Sequence, residues 1–214
     1  MAPLQPHLST MDHVIWDWNG TLLNDLEHAV LTVNHLLALE KLPAITLERY
    51  KQDFGFPVID YYRKLGFSTE PEKFGELCER FNDFFHAGIG SCELWPGARE
   101  MLASIKQSGK RQSILSASEQ GLLRQQVTRF GVEHCFDLIA GIADKKAGCK
   151  IDRGREVMRH IGVKPEKTIM IGDTDHDLEV AEALGIELIL VDHGHQCATR
   201  LRKVHHRVMK VTGA

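Results

Sequence analysis

The sequence predicts an α/β fold: a doubly wound parallel sheet interrupted after its first strand by an all-helical cap. Three observations carry this reading. A short apolar strand, Val14 to Trp18, ends in Asn-Gly; no strand pattern recurs from 25 to 92; and after "LWPGARE" buried strands alternate with helices. Such alternation indicates βαβ units and a parallel sheet. The first strand is too short to stand alone and belongs to the same sheet.

Taken in order, "HVIWDWNGTLLND" begins as a buried strand and breaks into polar residues. Leu26, Ala29, Val30, Val33 and Leu37 then form a helical stripe over 26–39, with Asp25 as its N-cap. "LERYKQDFGFPVIDYYRKLGF" gives shorter helical pieces, broken at Gly55, Pro57 and Gly66, and Phe74, Leu77, Phe81 and Phe84 recur at helical spacing. A helix over 97–108 leads to the strand "RQSILSA", and a helix over 119–130 leads to "FDLIAG". A helix over 152–161 precedes "KTIMIGD", and "HDLEVAEALG" ends at Gly185 before the strand "IELILVD". Arg200, Arg202, Lys203 and Arg207 read as the polar face of a solvated C-terminal helix. The predicted division is a flexible N-terminal tail over 1–11, a core over 12–24 and 97–214, and a helical cap over 25–96.

Composition narrows the function classes. The 214 residues carry a net charge of −3, with 43% hydrophobic and 26% charged residues, which is ordinary for a soluble globular protein. That balance gives no electrostatic case for nucleic acid or a membrane surface as partner. Five widely spaced cysteines without a CxxC pair argue for reduced thiols rather than a disulfide framework or a structural zinc site. With no signal-peptide pattern and no apolar run of membrane-spanning length, the expected location is cytoplasmic.

In an open α/β sheet, ligands bind at the carboxyl ends of the strands. There the sequence collects Asp17 and Asn19 after the first strand, Ser116 after "SIL", and Asp173 after "MIG", with Asp177 four residues on and Lys150 just before a helix. Each alone reads as a cap or turn residue; together they make one chemistry. Asp17 and Asp173 can hold Mg²⁺, which takes one or two carboxylates plus waters and substrate phosphate. Asp17 beside a bound phosphoryl group can attack it, and Ser116 and Lys150 can hold the phosphoryl oxygens. Asp177 can orient Lys150 or a metal-bound water. Gly20 permits close backbone approach, with loop amides as further donors. The histidines of "DHGHQ" read as exposed loop residues. Phe54, Gly55 and Phe56 break the cap's helical pattern, and a specificity loop over the active site is one reading of them.

"VIWDWNGT", "SILS", "CKIDRG" and "GDTDHD", in this order, resemble the four motifs of the haloacid dehalogenase-like superfamily over about residues 12–195. The inserted cap resembles the phosphoglycolate phosphatase-like branch. The resemblance implies a Rossmann-like core, Mg²⁺ as cofactor, Asp17 as nucleophile and hydrolysis of a small phosphorylated metabolite. It implies metal ligation by Asp17, Asp173 and the backbone carbonyl of Asn19, and phosphate binding by Gly20, Thr21, Ser116, Ala117 and Lys150. Lys145 and Lys146 compete with Lys150 for the third motif; Lys150 is preferred because it directly precedes the helix. Asn19 departs from the pattern, since the family's phosphatases place there the acid that protonates the leaving group and activates water. An amide does neither, which points to activated leaving groups or slow turnover. Alternatives are a phosphate-binding regulatory protein and a phosphotransferase. Metal-free dehalogenation is disfavoured by the paired acids of "GDTDHD". A monomer or homodimer is expected.

Overall fold

The computed structural model describes residues 4–142 and 150–210. After α1 (Gln5–Leu8) the chain forms β1 (His13–Trp16), whose four residues are all buried. It leaves the core through β2 (Leu23–Asn24), builds α2 (Leu26–Leu39), α3 (Leu47–Asp53), α4 (Val58–Leu65) and α5 (Pro71–Gly88), and returns through β3 (Glu93–Leu94). β2 and β3 pair antiparallel, Leu23 opposite Leu94, so the two crossings between cap and core form one short ribbon. The core continues as α6 (Ala98–Gln107), β4 (Arg111–Glu119), α7 (Gln120–Arg129), β5 (Leu138–Ile142) and α8 (Lys150–Ile161). It ends with β6 (Thr168–Gly172), α9 (Asp175–Leu184), β7 (Glu187–Val191), α10 (Ala198–Val204) and β8 (Val208–Met209).

The main sheet runs β5-β4-β1-β6-β7-β8, with every pairing parallel. β1 lies between β4 and β6; from it the chain builds outward first on one side and then on the other, the topology that opens a crevice at the strands' carboxyl ends. Strand alternation divides the core. Val14, Trp16, Ile114, Ile169, Ile171, Ile189 and Val191 pack on one face of the sheet. Ile15, Leu115, Met170, Leu188 and Leu190 pack on the other, as a period of two requires. The cap has its own apolar cluster, in which Leu26, Val33, Leu36 and Leu37 of α2 meet Tyr50, Tyr61, Tyr62, Leu65, Leu77 and Phe85.

The chain ends differ from expectation. Leu4 and Leu8 of the segment read as a flexible tail are buried in the core cluster that holds Val14 and Trp16 of β1. Two leucines at helical spacing, four apart, gain more from that burial than from water. The C-terminal basic run is only partly a helix: α10 is followed by β8, which adds to the sheet edge beside β7. Arg200 is held rather than solvated, its Nη2 lying 2.5 Å from Asp175 Oδ2. Among the described residues, no helix is long and apolar enough to cross a membrane, and Cys78, Cys92, Cys135 and Cys197 are free.

Candidate active site

β1 ends at Trp16, and Asp17 follows with its backbone N–H still donating to Ile171 O of β6 at 2.9 Å. That bond fixes the Asp17 side chain at the mouth of the crevice. β6 ends at Gly172 and presents Asp173; α9 starts two residues later and presents Asp177 from its first turn. Lys150 projects from the N-terminal end of α8. These four side chains converge, all nearly or wholly removed from solvent. Lys150 Nζ lies 2.5 Å from Asp17 Oδ1 and 2.7 Å from Asp177 Oδ1. One carboxylate oxygen from each of Asp17, Asp173 and Asp177 lies within 4.8 Å of the others.

The electrostatics leave this cluster short of positive charge. Burial pushes Asp17 up to about 8, and Asp177 and Asp173 add to the rise against the pull of Lys150. Burial also raises Asp173, with Asp177 adding and His195 opposing. Burial disfavours the Lys150 ammonium too, but Asp17 and Asp177 outweigh it and hold the proton more firmly than on a free lysine. Asp177 goes the other way: burial opposes its charge, yet Lys150 and the hydrogen bonds from Thr174 keep it ionised. Buried hard oxygen donors whose protons are bound too tightly suit a small divalent cation such as Mg²⁺. Asp177 is the most engaged of the three, its Oδ2 accepting from Asp173 N, Thr174 N and Thr174 Oγ1 while its Oδ1 faces Lys150.

Other anticipated residues fall around this centre. Thr21 Oγ1 donates to Asp173 Oδ1 at 2.8 Å and lies 3.4 Å from Asp17 Oδ2, so the hydroxyl spans the two acids. Ser116 is buried at the end of the regular part of β4, where its Oγ accepts from Ser118 N, and Ala117 beside it is exposed. Lys145 and Lys146 lie outside the described residues. Phe54 and Phe56 lean from the cap onto the core loops, with ring centroids 5.5 Å from His195 and 4.6 Å from His176, respectively. Gly55 is pressed against Arg200, whose Nη2 would stand 2.6 Å from an added Cβ.

Two readings change. Gly20 N is not available to a ligand: it donates to Asp25 Oδ1 at 2.8 Å and to Leu23 O at 3.0 Å. The close approach that requires glycine here is to the protein itself, since a Cβ on Gly20, at φ +74°, would stand 2.3 Å from Asp173 Oδ2. The Asn19 side chain is likewise taken, its Nδ2 donating to Asp25 Oδ2 at 2.7 Å and its Oδ1 accepting from Ser118 Oγ at 2.7 Å. Asp25 occupies the N-cap position of α2 without capping it, because its carboxylate is turned into the core.

The residues that sequence reasoning missed are those around Asp25. His195, read as an exposed loop histidine, is buried; its Nε2 lies 3.3 Å from Asp25 Oδ1, and its backbone N–H donates to Asp173 Oδ2 at 2.6 Å. Burial works against charge on the ring, but Asp25, with Asp173 and Asp17 behind it, raises His195 to about 9. Burial likewise opposes ionisation of Asp25, and His195, Asn19 and Gly20 N together bring it below the usual carboxylate value. His195 Nδ1 meets Tyr50 Oη of α3 at 3.0 Å, so a cap side chain completes the pair. The available signals were the place of "DHGHQ" at the carboxyl end of β7 and of Asp25 on the same loop as Asp17.

The family model described as haloacid dehalogenase-like hydrolase matches residues 14–191. The chain is 26% identical over 197 residues to the tyrosine-protein kinase PtkA of Mycobacterium tuberculosis, covering 92% of this chain and 67% of that protein. It is 25% identical over 201 residues to a phosphoglycolate phosphatase of Cereibacter sphaeroides, covering 92% of each. A haloacid dehalogenase-like hydrolase from Streptococcus pneumoniae superposes with a TM-score of 0.80 at 17% identity, covering 96% of both chains, a likeness of fold.

Proposed function

The chain belongs to the haloacid dehalogenase-like hydrolase family, and from that membership we propose that it is a Mg²⁺-dependent phosphatase acting on a small phosphorylated metabolite through an aspartyl-phosphate on Asp17. The observation that carries the reading is the pair of contacts from Lys150 Nζ to Asp17 and Asp177, buried beside Asp173. A module that only binds phosphate has no use for an acid so placed.

Asp17 and Asp173, with the backbone carbonyl of Asn19, would hold the cation. Bound there, it offsets charge on the acids and on the phosphoryl oxygens. In the first step an Asp17 carboxylate oxygen forms a bond to phosphorus while the ester oxygen departs with its electron pair. In the second, water attacks the same phosphorus, releasing phosphate and restoring Asp17. Lys150 and the Ser116 hydroxyl hold the phosphoryl oxygens, and Asp177 keeps Lys150 charged and aimed. Asn19 supplies no proton to the departing oxygen. The favoured substrates are therefore acyl or aryl phosphates and anhydrides, with an alkyl phosphate such as phosphoglycolate turned over more slowly. The cap segment Phe54, Gly55 and Phe56 selects among them.

The test is phosphate release from p-nitrophenyl phosphate, acetyl phosphate and phosphoglycolate, with Mg²⁺ and with chelator, for the wild type and Asp17→Asn. Release should need Mg²⁺, vanish in Asp17→Asn, and be accompanied by a phosphorylated peptide containing Asp17. Undiminished activity of Asp17→Asn would end the aspartyl-phosphate reading. A second reading, transfer of the phosphoryl group to an acceptor other than water, is favoured by the absence of a water-activating acid at 19 and by the likeness to PtkA. Products formed with an added alcohol acceptor, beyond its mole ratio to water, would mark it.

A further inference from the structure

Four side chains link the cap to the loop that carries Asp17. Tyr50 on α3 meets His195 Nδ1 at 3.0 Å; His195 Nε2 stands 3.3 Å from Asp25 Oδ1; and Asp25 Oδ2 accepts from Asn19 Nδ2 at 2.7 Å. Tyr50, His195 and Asp25 are almost wholly buried, and Asn19 passes the chain on to β4 through Ser118 Oγ at 2.7 Å. Asp25 also holds Gly20 N. From the returning crossing, Trp95 Nε1 donates to Gly20 O at 3.0 Å and Trp95 N to Leu22 O at 3.0 Å. The loop from Asp17 to Asp25 is thus held by the cap through this chain and by the returning crossing through Trp95.

The identity of residue 19 follows from this arrangement. Asp25 is an acceptor that already takes Gly20 N and His195 on Oδ1, and its Oδ2 needs a donor. The Asn19 amide gives that donor with one end and accepts from Ser118 with the other. A carboxylate at 19 would face the Asp25 carboxylate at 2.7 Å in a buried setting, where two such groups cannot both ionise. We propose that Tyr50, His195, Asp25 and Asn19 form a strut through which the docked cap positions the loop bearing Asp17, and that residue 19 is an amide because Asp25 requires a donor there. All four side chains are positioning groups, and Asn19 meets the cation through its backbone carbonyl alone. The catalytic consequence rests on the reading of Asp17 as nucleophile; the strut itself does not.

Its test uses the unliganded full chain, so failure of the phosphatase reading leaves it intact. The first arm removes only the far hydroxyl, by Tyr50→Phe, and follows amide hydrogen exchange by NMR. Exchange at Gly20 and the adjoining residues to Asn24 should quicken roughly three- to tenfold, the equivalent of one lost hydrogen bond, with amides of β6 and β7 unchanged. Unaltered exchange at Gly20, or an equal rise throughout the sheet, would overturn the strut. The second arm measures Tm for Asn19→Asp, Asp25→Asn and the double variant. In the double variant the same hydrogen bond runs in reverse, from Asn at 25 to Asp at 19. Asn19→Asp should therefore lower Tm clearly when residue 25 is Asp and little when it is Asn. An equal loss in both backgrounds would overturn the reason given for the amide.

Discussion

Asn19 Nδ2 donates to Asp25 Oδ2, 2.7 Å away, and so the amide is an occupied member of a buried hydrogen-bond network. A carboxylate cannot take that place without disturbing its neighbour. Asn19→Asp, which motif comparison alone would offer as a gain of acid–base catalysis, should instead lower kcat/KM by about tenfold or more, since misplacing a reacting group by about 1 Å can cost on the order of 10²-fold. Steady-state rates on an alkyl phosphate and an aryl phosphate check it; a rise on the alkyl phosphate would refute it.

Lys150 neutralises part of a cluster that holds three buried acids. Lys150→Met leaves Asp17 and Asp177 without their partner, a change that costs about 3 kcal/mol or more when a buried ion pair is broken. Urea unfolding in chelator should show that loss, and added Mg²⁺ should return part of it.

Mg²⁺ binding should stabilise the wild-type protein, since it relieves the carboxylates of Asp17 and Asp173. Thermal unfolding with and without Mg²⁺ should give a higher Tm with the ion, and the shift should disappear in Asp173→Asn.

Phe56 is partly exposed yet stacks on His176, which follows the Asp173 loop. Phe56→Ala should change relative KM values across a panel of phosphate esters by several-fold while leaving the Mg²⁺ concentration for half-maximal activity unchanged. A uniform fall in kcat for every substrate would speak against a role in selection.

His13 gives a pH prediction remote from this chemistry. It is fully buried in β1 beside Ser113, and burial, with Arg111 adding and Asp137 opposing, lowers it from 6.5 to about 4. The unfolded chain therefore takes up this proton near 6.5 while the folded chain resists until about 4. Stability from this group is complete above the unfolded value and is lost as pH falls through the interval, by about 3 kcal/mol at most. His13→Val should lose less stability than the wild type between neutral pH and pH values near 5, as read by denaturant unfolding.

Much of this molecule was legible before folding. The alternation of strands and helices from 97 onward follows from local apolar periodicity, and the stripes in α2 and α5 mark a cap because no strand pattern competes with them. Asp17, Asp173, Asp177 and Lys150 were legible because the carboxyl ends of parallel strands face one crevice. The ends of the chain were not: Leu4 and Leu8 find burial, and β8 finds an edge to join, only once the sheet exists.

The sequence by itself determined the order of elements, the inserted cap and the acid-and-lysine set at the strand ends, since each is written in local pattern or motif. Tertiary structure alone decided what Asn19, Asp25, His195 and Tyr50 do. Tyr50 and His195 lie 145 positions apart, and Asp25 reads locally as a helix cap. A hydrogen bond depends on which donor meets which acceptor in space, and that meeting is made when the cap docks on the loop after β7.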